Sequence, residues 1–344
     1  MAHSKETQLD HGGLRREGHG DALGLVWGYR FNEDGRADLL DHAEGLSAYE
    51  RRESWLWLHF DVADRRAHAA IKSLPGLPAE VVDLLLGSDP RQRIVIVDQH
   101  IAGVVADFER SDTLDPRSMS TWRFCMAPHA FISTRRSPLH TMSRLHDDLR
   151  SGRRLPGVLH LFDAIVHGFA AGLSAVSQRL VEQLDDIEDS LFDEREGGDF
   201  AALGAVRRNA VRLNRQTAPL RAILRQINEE RPEWFTDDAA EDCTQVAHHV
   251  ESVAADLASL QERAHALQDE FDARQTALTN RRLMLLSVMS AVLLPPTLIT
   301  GIFGMNVDGL PLKDASPYGF VLTMGIMVAS VVTLLIVLRR MKIF

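Results

Sequence analysis

Polar and small residues recur on one side of an uncharged stretch near the C-terminal end of the chain. Their steps of 3, 4, 3 and 4 residues place them on a single face of an α-helix: Ser287, Ser290, Leu294, Thr297 and Gly301. Such a face is wettable, because hydroxyl groups can contact water or the water shell of an ion. Small hydroxyl residues at this spacing also mark packing positions between membrane helices. The spacing by itself supports both interpretations equally.

A second group of candidate residues is acidic. The stretch from Leu184 to Glu196 brings Asp185, Asp186 and Asp189 close together, and carboxylates crowded in this way can bind a hard divalent cation. A solvated, negatively charged helix face explains the same pattern and is the commoner case. Even without a specific site, the negative field of this stretch would attract cations.

Motifs for catalysis are missing from the sequence. Only two cysteines occur, Cys125 and Cys243, and the histidines of the N-terminal tail (His3, His11 and His19) are loosely scattered. The chain has no G-x-G-x-x-G, P-loop or G-x-S-x-G motif. We therefore expect neither an enzyme nor a bound cofactor, and we interpret residues 1–20 as a flexible tail.

Two long uncharged segments follow each other near the C-terminus. Residues 283–303 contain 21 positions and residues 320–338 contain 19, without a charged side chain in either. At a rise of about 1.5 Å per residue, each helix would be roughly 30 Å long, which matches the hydrocarbon core of a bilayer. Five basic residues flank the outer ends of the pair (Arg281, Arg282, Arg339, Arg340 and Lys342), and one, Lys313, lies between the segments. The excess of positive charge therefore places both termini in the cytoplasm and residues 304–319 outside.

Charge divides the chain in the same way. After residue 280 there are six Lys or Arg against two acids, a balance of +4. The whole chain carries −10, which leaves −14 for residues 1–280. An acidic body disfavours nucleic acid as a partner, because duplex binding depends on Lys and Arg that neutralise phosphates. Divalent cations and the lipid bilayer are the expected partners.

The region before the membrane segments has two parts. In residues 21–156, strand-like runs such as LGLVWGYRF and RIVIVDQ alternate with helix-like stretches, for example near Ala79 to Leu86, which favours an α/β domain. Residues 157–282 have a helical pattern with interruptions at Gly197-Gly198 and Arg231-Pro232. We predict that this second part forms a helical stalk.

The last stalk helix carries the strongest periodicity in the chain. Apolar residues follow one another in alternating steps of 4 and 3 residues: Val246, Val250, Val253, Leu257, Leu260, Ala264, Leu267 and Phe271. The seam resumes at Leu278, and no strong helix breaker occurs before Pro295. We therefore expect one helix of about 60 residues that runs into the first membrane segment. It should pack on the helix of Leu159 to Phe192 or on other subunits.

A short motif at the end of the first membrane segment makes this arrangement specific. Gly304-Met305-Asn306 follows Pro-x-Thr-Leu-Ile-Thr-Gly-Ile-Phe and precedes a short loop, a second apolar segment and a basic C-terminus at residues 339–344. The whole arrangement resembles the CorA family of divalent-cation transporters. The resemblance implies an α+β membrane protein in the plasma (inner) membrane, assembled as a funnel-shaped homopentamer. Each subunit would have an N-terminal cytoplasmic α/β domain, long stalk helices and two C-terminal transmembrane helices.

The resemblance also implies roles for individual residues. Five copies of Asn306 would ring the outer mouth of a pore and bind a hydrated cation, with Gly304 and Met305 completing the transport and selectivity motif. The family register continues along the first membrane helix through pore-lining positions, which are Gly301, Thr297, Leu294, Ser290, Ser287 and Leu283. Thr297 would be a polar station, while Leu294 and Leu283 would form hydrophobic constrictions. Asp308 and Asp314 would attract cations to the outer loop.

The loop after the motif bears on which metal is carried. It continues as Asn-Val-Asp-Gly-Leu-Pro, which is similar to the zinc-transporting ZntB branch of the family. Leu312 stands where the magnesium and cobalt branch carries an acid, although Asp308 departs from the ZntB pattern. Neither membrane segment contains Cys or His, so zinc would have to pass as a hydrated or weakly bound ion. The branch implies coupling to protons, which would use groups outside the segments, because neither contains Asp, Glu, Lys, Arg or His.

Three functions remain open at this point. Zinc transport is favoured, and a magnesium or cobalt channel of the same family is the alternative. A different class is a membrane-anchored cytoplasmic metal sensor that carries no ion. Such a sensor would tolerate substitution of Asn306, whereas a transporter of this family would not.

Overall fold

The computed structural model describes residues 24–192, 200–305 and 318–340. The chain divides into two compact units, Met1–His265 and Ala266–Phe344. The predicted tail at residues 1–20 and the interruption at Gly197-Gly198 lie outside the described residues.

The first unit is built on a seven-stranded mixed sheet. Its strands are β1 (Leu25–Phe31), β2 (Ala37–Leu40), β3 (Trp55–Asp61), β4 (Arg93–Val97), β5 (His100–Phe108), β6 (Met119–Ala127) and β7 (Ala130–Arg135). They lie in the order β2-β1-β3-β7-β6-β5-β4. The pair β3 and β7 is parallel, and every other neighbouring pair of this sheet is antiparallel. The predicted α/β domain is therefore largely antiparallel, because most of its strands are joined by short local connections.

Three short helices cover one face of the sheet: α1 (His42–Arg51), α2 (Arg65–Ser73) and α3 (Ala79–Leu86). Strand β3 shows the alternation that produces this face, since Leu56, Leu58 and Phe60 all belong to the buried cluster shared with these helices. Helix α3 has the predicted bounds. Strand β2 and helices α1 and α2 were not predicted, because β2 has only four residues and the two helices contain few large apolar side chains.

The opposite face of the sheet packs against α4 (His140–Arg150) and α5 (Val158–Phe192). Trp27 of β1 stacks on His146 of α4, with ring centroids 4.4 Å apart. Phe124 of β6 lies 5.3 Å from Phe162 of α5, again between ring centroids. Aromatic side chains thus fill the space between the sheet and the long helices.

Helix α5 also forms a bundle with α6 (Phe200–Glu230) and the first part of α7 (Asp237–Phe303). Ser174 is hydrogen-bonded to His249, and Asp185 further along α5 accepts from Arg263 further along α7, so the two helices run in the same direction. The predicted seam of α7 is buried over most of its length: Val246, Val250, Val253, Leu257, Leu260, Ala264 and Leu267. The periodicity of the sequence correctly identified the packed side of this helix.

The burial of the seam ends after Leu267. Phe271 is half-buried and Leu278 is 50% exposed. Arg263 pairs with Glu188, only one helical turn before α5 ends at Phe192. Burial of the seam therefore declines along α7, and Leu278 remains uncovered by the part of the chain that the structure describes.

The second unit contains the rest of α7 and helix α8 (Tyr318–Arg340). No residue of α8 is buried. Three helices of the described residues are long and apolar enough to cross a membrane, namely α5, α7 and α8. Burial distinguishes the three helices. Of the most apolar 18 residues of α5, 56% are buried, whereas none of the corresponding residues of α7 and α8 is buried. Helix α5 therefore has the character of a core helix of the first unit, whereas α7 and α8 expose apolar surface suited to lipid or to other subunits.

Candidate functional site

The residues predicted to line a pore form one exposed face of α7. Leu283 and Leu294 are 55% and 67% exposed, and the polar positions between and beyond them are exposed as well. All six predicted residues lie within the helix, so their spacing places them in one row: Leu283, Ser287, Ser290, Leu294, Thr297 and Gly301. We call this row the hydroxyl face.

The hydroxyl groups of this face are fixed by hydrogen bonds to their own helix. Ser287 Oγ donates to the Leu283 carbonyl at 2.9 Å, and Ser290 Oγ donates to the Leu286 carbonyl, also at 2.9 Å. Thr297 Oγ1 donates to the Leu293 carbonyl at 2.7 Å. Each hydroxyl has one proton, and these bonds use it. The lone pairs of the hydroxyl oxygen therefore remain to accept hydrogen bonds or contact a cation outside the helix. A surface of acceptors favours water and cations over anions.

Two prolines interrupt the hydrogen bonding of α7 within the same stretch of the helix. Pro295 and Pro296 lie inside the helix and lack an N–H, so the carbonyls of Ala291 and Val292 lose their usual donors four residues later. The helix nevertheless continues to Phe303. In a bilayer such carbonyls must be satisfied by water or by neighbouring helices, which fits a helix that borders a hydrated path.

The end of α7 requires the glycine of the motif. The N–H of Gly304 donates to the Thr300 carbonyl at 2.8 Å, and a Cβ atom at Gly304 would lie 2.8 Å from the same oxygen. Only a residue without a side chain fits this close approach. Met305 follows with 48% exposure. The remaining predicted site residues, Asn306, Asp308 and Asp314, lie outside the described residues.

Part of the acidic patch of α5 contacts an arginine of α7. Arg263 of α7 donates to Asp185 at 2.7 Å and to Glu188 at 3.0 Å, and these hydrogen bonds raise the pKa of its guanidinium. Asp186 and Asp189 are exposed. Within the described ranges, no three His, Cys, Asp or Glu side chains form a group that could hold a metal ion. Asp185 and Glu188 therefore join α5 to α7, and a metal site at Asp185, Asp186 and Asp189 stays a prediction.

Sequence reasoning missed a buried group of rings beneath α4. Trp27 stacks between His59 and His146, with centroid separations of 4.2 and 4.4 Å, and the Arg135 guanidinium lies 5.4 Å from the Trp27 ring. Burial, together with the nearby charges of Arg135 and His146, lowers the pKa of His59 well below its usual value. The indole between the two imidazoles prevents them from sharing a metal ion. This cluster packs the fold, and alternating aromatic residues in β1 and β3 were its only sequence signal.

Comparison with known proteins relates this architecture to a single family. The family model described as CorA-like Mg2+ transporter protein matches residues 52–340. A curated relative from Pseudomonas aeruginosa, the divalent cation transporter CmaX, is 28% identical over 303 residues, which cover 88% of this chain and 91% of the relative. The zinc transport protein ZntB of Yersinia pseudotuberculosis is 26% identical over 316 residues, covering 91% and 95%.

A solved structure agrees with these sequence relatives. The structure of full-length CmaX superimposes with a TM-score of 0.80 at 26% identity, over 94% of this chain and 99% of that one. The agreement includes the sheet domain, the long helices and the apolar C-terminal helices. The matched family model and the shared fold together show that this chain belongs to the CorA family of divalent-cation transporters, near its ZntB branch.

Proposed function

We propose that several copies of this chain surround a pore lined by the hydroxyl face of α7 and that the pore carries divalent cations, with zinc as the physiological ion. The observation that carries this proposal is the fixed orientation of the hydroxyl groups. Ser287, Ser290 and Thr297 direct their protons into their own helix and keep oxygen lone pairs for the outside. An uncharged path of acceptors can stabilise a cation that keeps most of its water.

A pore requires more than one chain, because two membrane helices cannot enclose one. The exposed apolar residues of α7 and α8 support an assembly, as does Leu278, which is 50% exposed at a position that continues a packed seam. Membership of the CorA family makes a homopentamer the assembly that we propose. In that assembly, Leu294 and Leu283 would form rings that close the pore by excluding water, and Thr297 would be a polar station between the constrictions and the mouth.

We infer that α7 and α8 provide the two membrane spans. Residues 283–303 and 320–338 lack charged side chains, and basic residues flank their outer ends. The third apolar helix, α5, is half-buried within the first unit. The positive-inside rule then places both termini in the cytoplasm of a cell whose inner membrane holds the protein, with Asn306, Asp308 and Asp314 at the outer mouth.

Zinc is preferred over magnesium and cobalt on two grounds. The ZntB relative matches along nearly the whole of both chains, and the loop sequence Asn-Val-Asp-Gly-Leu-Pro is similar to that branch. The pore segments contain no Cys or His, so the ion would move hydrated rather than bound to soft ligands. Coupling to protons, which the same branch suggests, would use groups outside residues 283–303 and 320–338, since these segments lack Asp, Glu, Lys, Arg and His.

Reconstitution in liposomes tests the proposal. Purified protein is placed in liposomes that contain dyes sensitive to zinc or magnesium, with and without a pH gradient. We expect zinc influx that is lost in Asn306→Ala and that is faster with a pH gradient. Magnesium influx alone would assign the chain to magnesium transport, and the absence of any divalent flux would support a membrane-anchored sensor instead.

A matched pair of threonine variants tests the pore face. Thr297→Val removes a hydroxyl from the hydroxyl face, whereas Thr300→Val removes one from the flank of that face, about 60° round the helix from Thr297. Both hydroxyls donate to carbonyls of their own helix, so the local structural cost is similar. We expect a reduced zinc flux only for Thr297→Val. Equal effects of both substitutions would show that α7 does not present this face to the ion.

A further inference from the structure

A cavity rich in arginine lies in the first unit, between α5, α6 and the loop around Thr113 to Arg117. Its volume is about 550 Å³, within the range of small-molecule sites. Four arginines and two amide side chains line it: Arg117, Arg179, Arg208, Arg212, Gln183 and Asn209. We call it the arginine cavity. It contains none of the residues of the hydroxyl face.

The positive charge of the arginine cavity is only partly neutralised. Asp115 is the one carboxylate among those lining residues that the structure describes, and it forms a two-point ion pair with Arg117, in which the closest N–O distance is 2.8 Å. Arg179 donates to the Leu114 carbonyl at 2.6 Å, which holds its guanidinium against the loop. Hydrogen bonds from Arg117 lower the pKa of the Asp115 carboxyl, and the charge of Arg212 also helps to lower it, so four guanidinium groups share this one described carboxylate.

Arg208 and Arg212 increase this imbalance. They are exposed, they are four residues apart on α6, and neither forms a hydrogen bond or ion pair with a residue that the structure describes. Like charges at this spacing destabilise a helix. No acidic residue of this part of α6 neutralises the two arginines, because no Asp or Glu occurs between Phe200 and Asn228. The chain as a whole nevertheless carries a net charge of −10. An anion bound between these side chains would remove the repulsion.

We propose that the arginine cavity binds a phosphoryl anion with two or more phosphate groups. Its cationic groups are all arginines, whose planar guanidinium groups match the oxygens of a phosphate in a two-point geometry. Gln183 and Asn209 add amide N–H donors. Val176 and Leu180, which are buried, form an apolar wall that strengthens these charge interactions by excluding water. The site is separate from the proposed transport path and does not depend on it.

Binding measurements on the purified full-length protein test this proposal. Inorganic tripolyphosphate, a nucleoside triphosphate and sulfate are titrated by calorimetry at matched ionic strength. We expect both triphosphates to bind and sulfate to bind at least about tenfold more weakly, because sulfate offers fewer negative charges and fewer acceptor oxygens to the four guanidinium groups than a triphosphate does. Equal binding of the two triphosphates would identify the phosphate chain as the ligand, and tighter binding of the nucleotide would show that the nucleoside also makes contacts.

Variants locate the binding in the arginine cavity. Arg208→Gln and Arg212→Gln should each weaken tripolyphosphate binding by about tenfold, and the double variant should abolish it. Arg225→Gln removes the same charge from the same helix about 25 Å away and should change binding less than about twofold. Arg208→Lys keeps the charge but loses the planar fork, so it should bind with an intermediate affinity. Failure of either triphosphate to bind, or equal losses in the Arg208 and Arg225 variants, would overturn the proposal.

Discussion

Gly304 and Gly301 form a matched pair for testing the end of α7. A Cβ atom at Gly304 would lie 2.8 Å from the backbone oxygen of Thr300, whereas a Cβ atom at Gly301 would meet no atom within 4 Å. The same Thr300 oxygen accepts the N–H of Gly304 at 2.8 Å. Gly304→Ala must therefore displace the carbonyl that closes the last turn, while Gly301→Ala adds a methyl group to open space.

The two substitutions should have opposite energetic effects. Loss of one backbone hydrogen bond costs about 1 kcal/mol, which increases the population of the opened turn about fivefold. Alanine in place of glycine within a helix is instead stabilising by about 0.5–1 kcal/mol. Gly304→Ala should therefore loosen the helix end, and Gly301→Ala should tighten it.

Hydrogen exchange measured by mass spectrometry distinguishes the two variants. In detergent, peptides that cover residues 298–305 should exchange about fivefold faster in Gly304→Ala and no faster in Gly301→Ala than in the wild type. Zinc flux should fall at least about tenfold in Gly304→Ala, because the proposed ion-binding residue Asn306 follows two positions later. If Gly304→Ala exchanges at the wild-type rate, the steric reasoning is refuted.

Three further predictions concern the first unit and the stalk. Burial raises the pKa of the Asp107 carboxyl to about 7, so the folded chain holds this proton more tightly than the unfolded chain does. The melting temperature of the wild type relative to Asp107→Asn should therefore decline as the pH rises from about 4 to 7 and then level off. A difference in melting temperature that stays constant over this pH range would contradict the prediction. Leu260→Ala, at a position only 1% exposed, should reduce the free energy of unfolding by about 2–5 kcal/mol in chemical denaturation, whereas Leu278→Ala should cost less than about 1 kcal/mol. Arg263→Met should lower the melting temperature only slightly, because its side chain is 44% exposed and such ion pairs contribute about 1 kcal/mol or less; the effect should shrink in high salt.

Local patterns were sufficient to predict the long helices and most strands. The seam from Val246 to Leu267 identified the buried side of α7, since helical periodicity is a property of neighbouring residues. The steps between Ser287 and Gly301 identified the hydroxyl face for the same reason. The lengths and compositions of α7 and α8 also sufficed to recognise apolar helices long enough to cross a membrane.

Features that depend on distant residues were not predictable. The pairing of β3 with β7 joins residues more than 70 positions apart, and nothing in either strand identifies its partner. The role of Asp185 depends on Arg263, which lies on another helix. The arginine cavity likewise combines residues of a loop and two helices, and its only signal in the sequence is the lack of acids between Phe200 and Asn228 of α6.

The single parallel contact in the sheet has a consequence for the order of folding. Strands β1, β2 and β3 form one antiparallel group within residues 25–61, and β4 to β7 form a continuous meander within residues 93–135. Each group makes mainly local contacts, which form quickly, whereas the register of Leu56 with Ala130 closes a long loop. The sheet should therefore assemble from two early hairpin groups, and their docking along β3 and β7 should be the slow step.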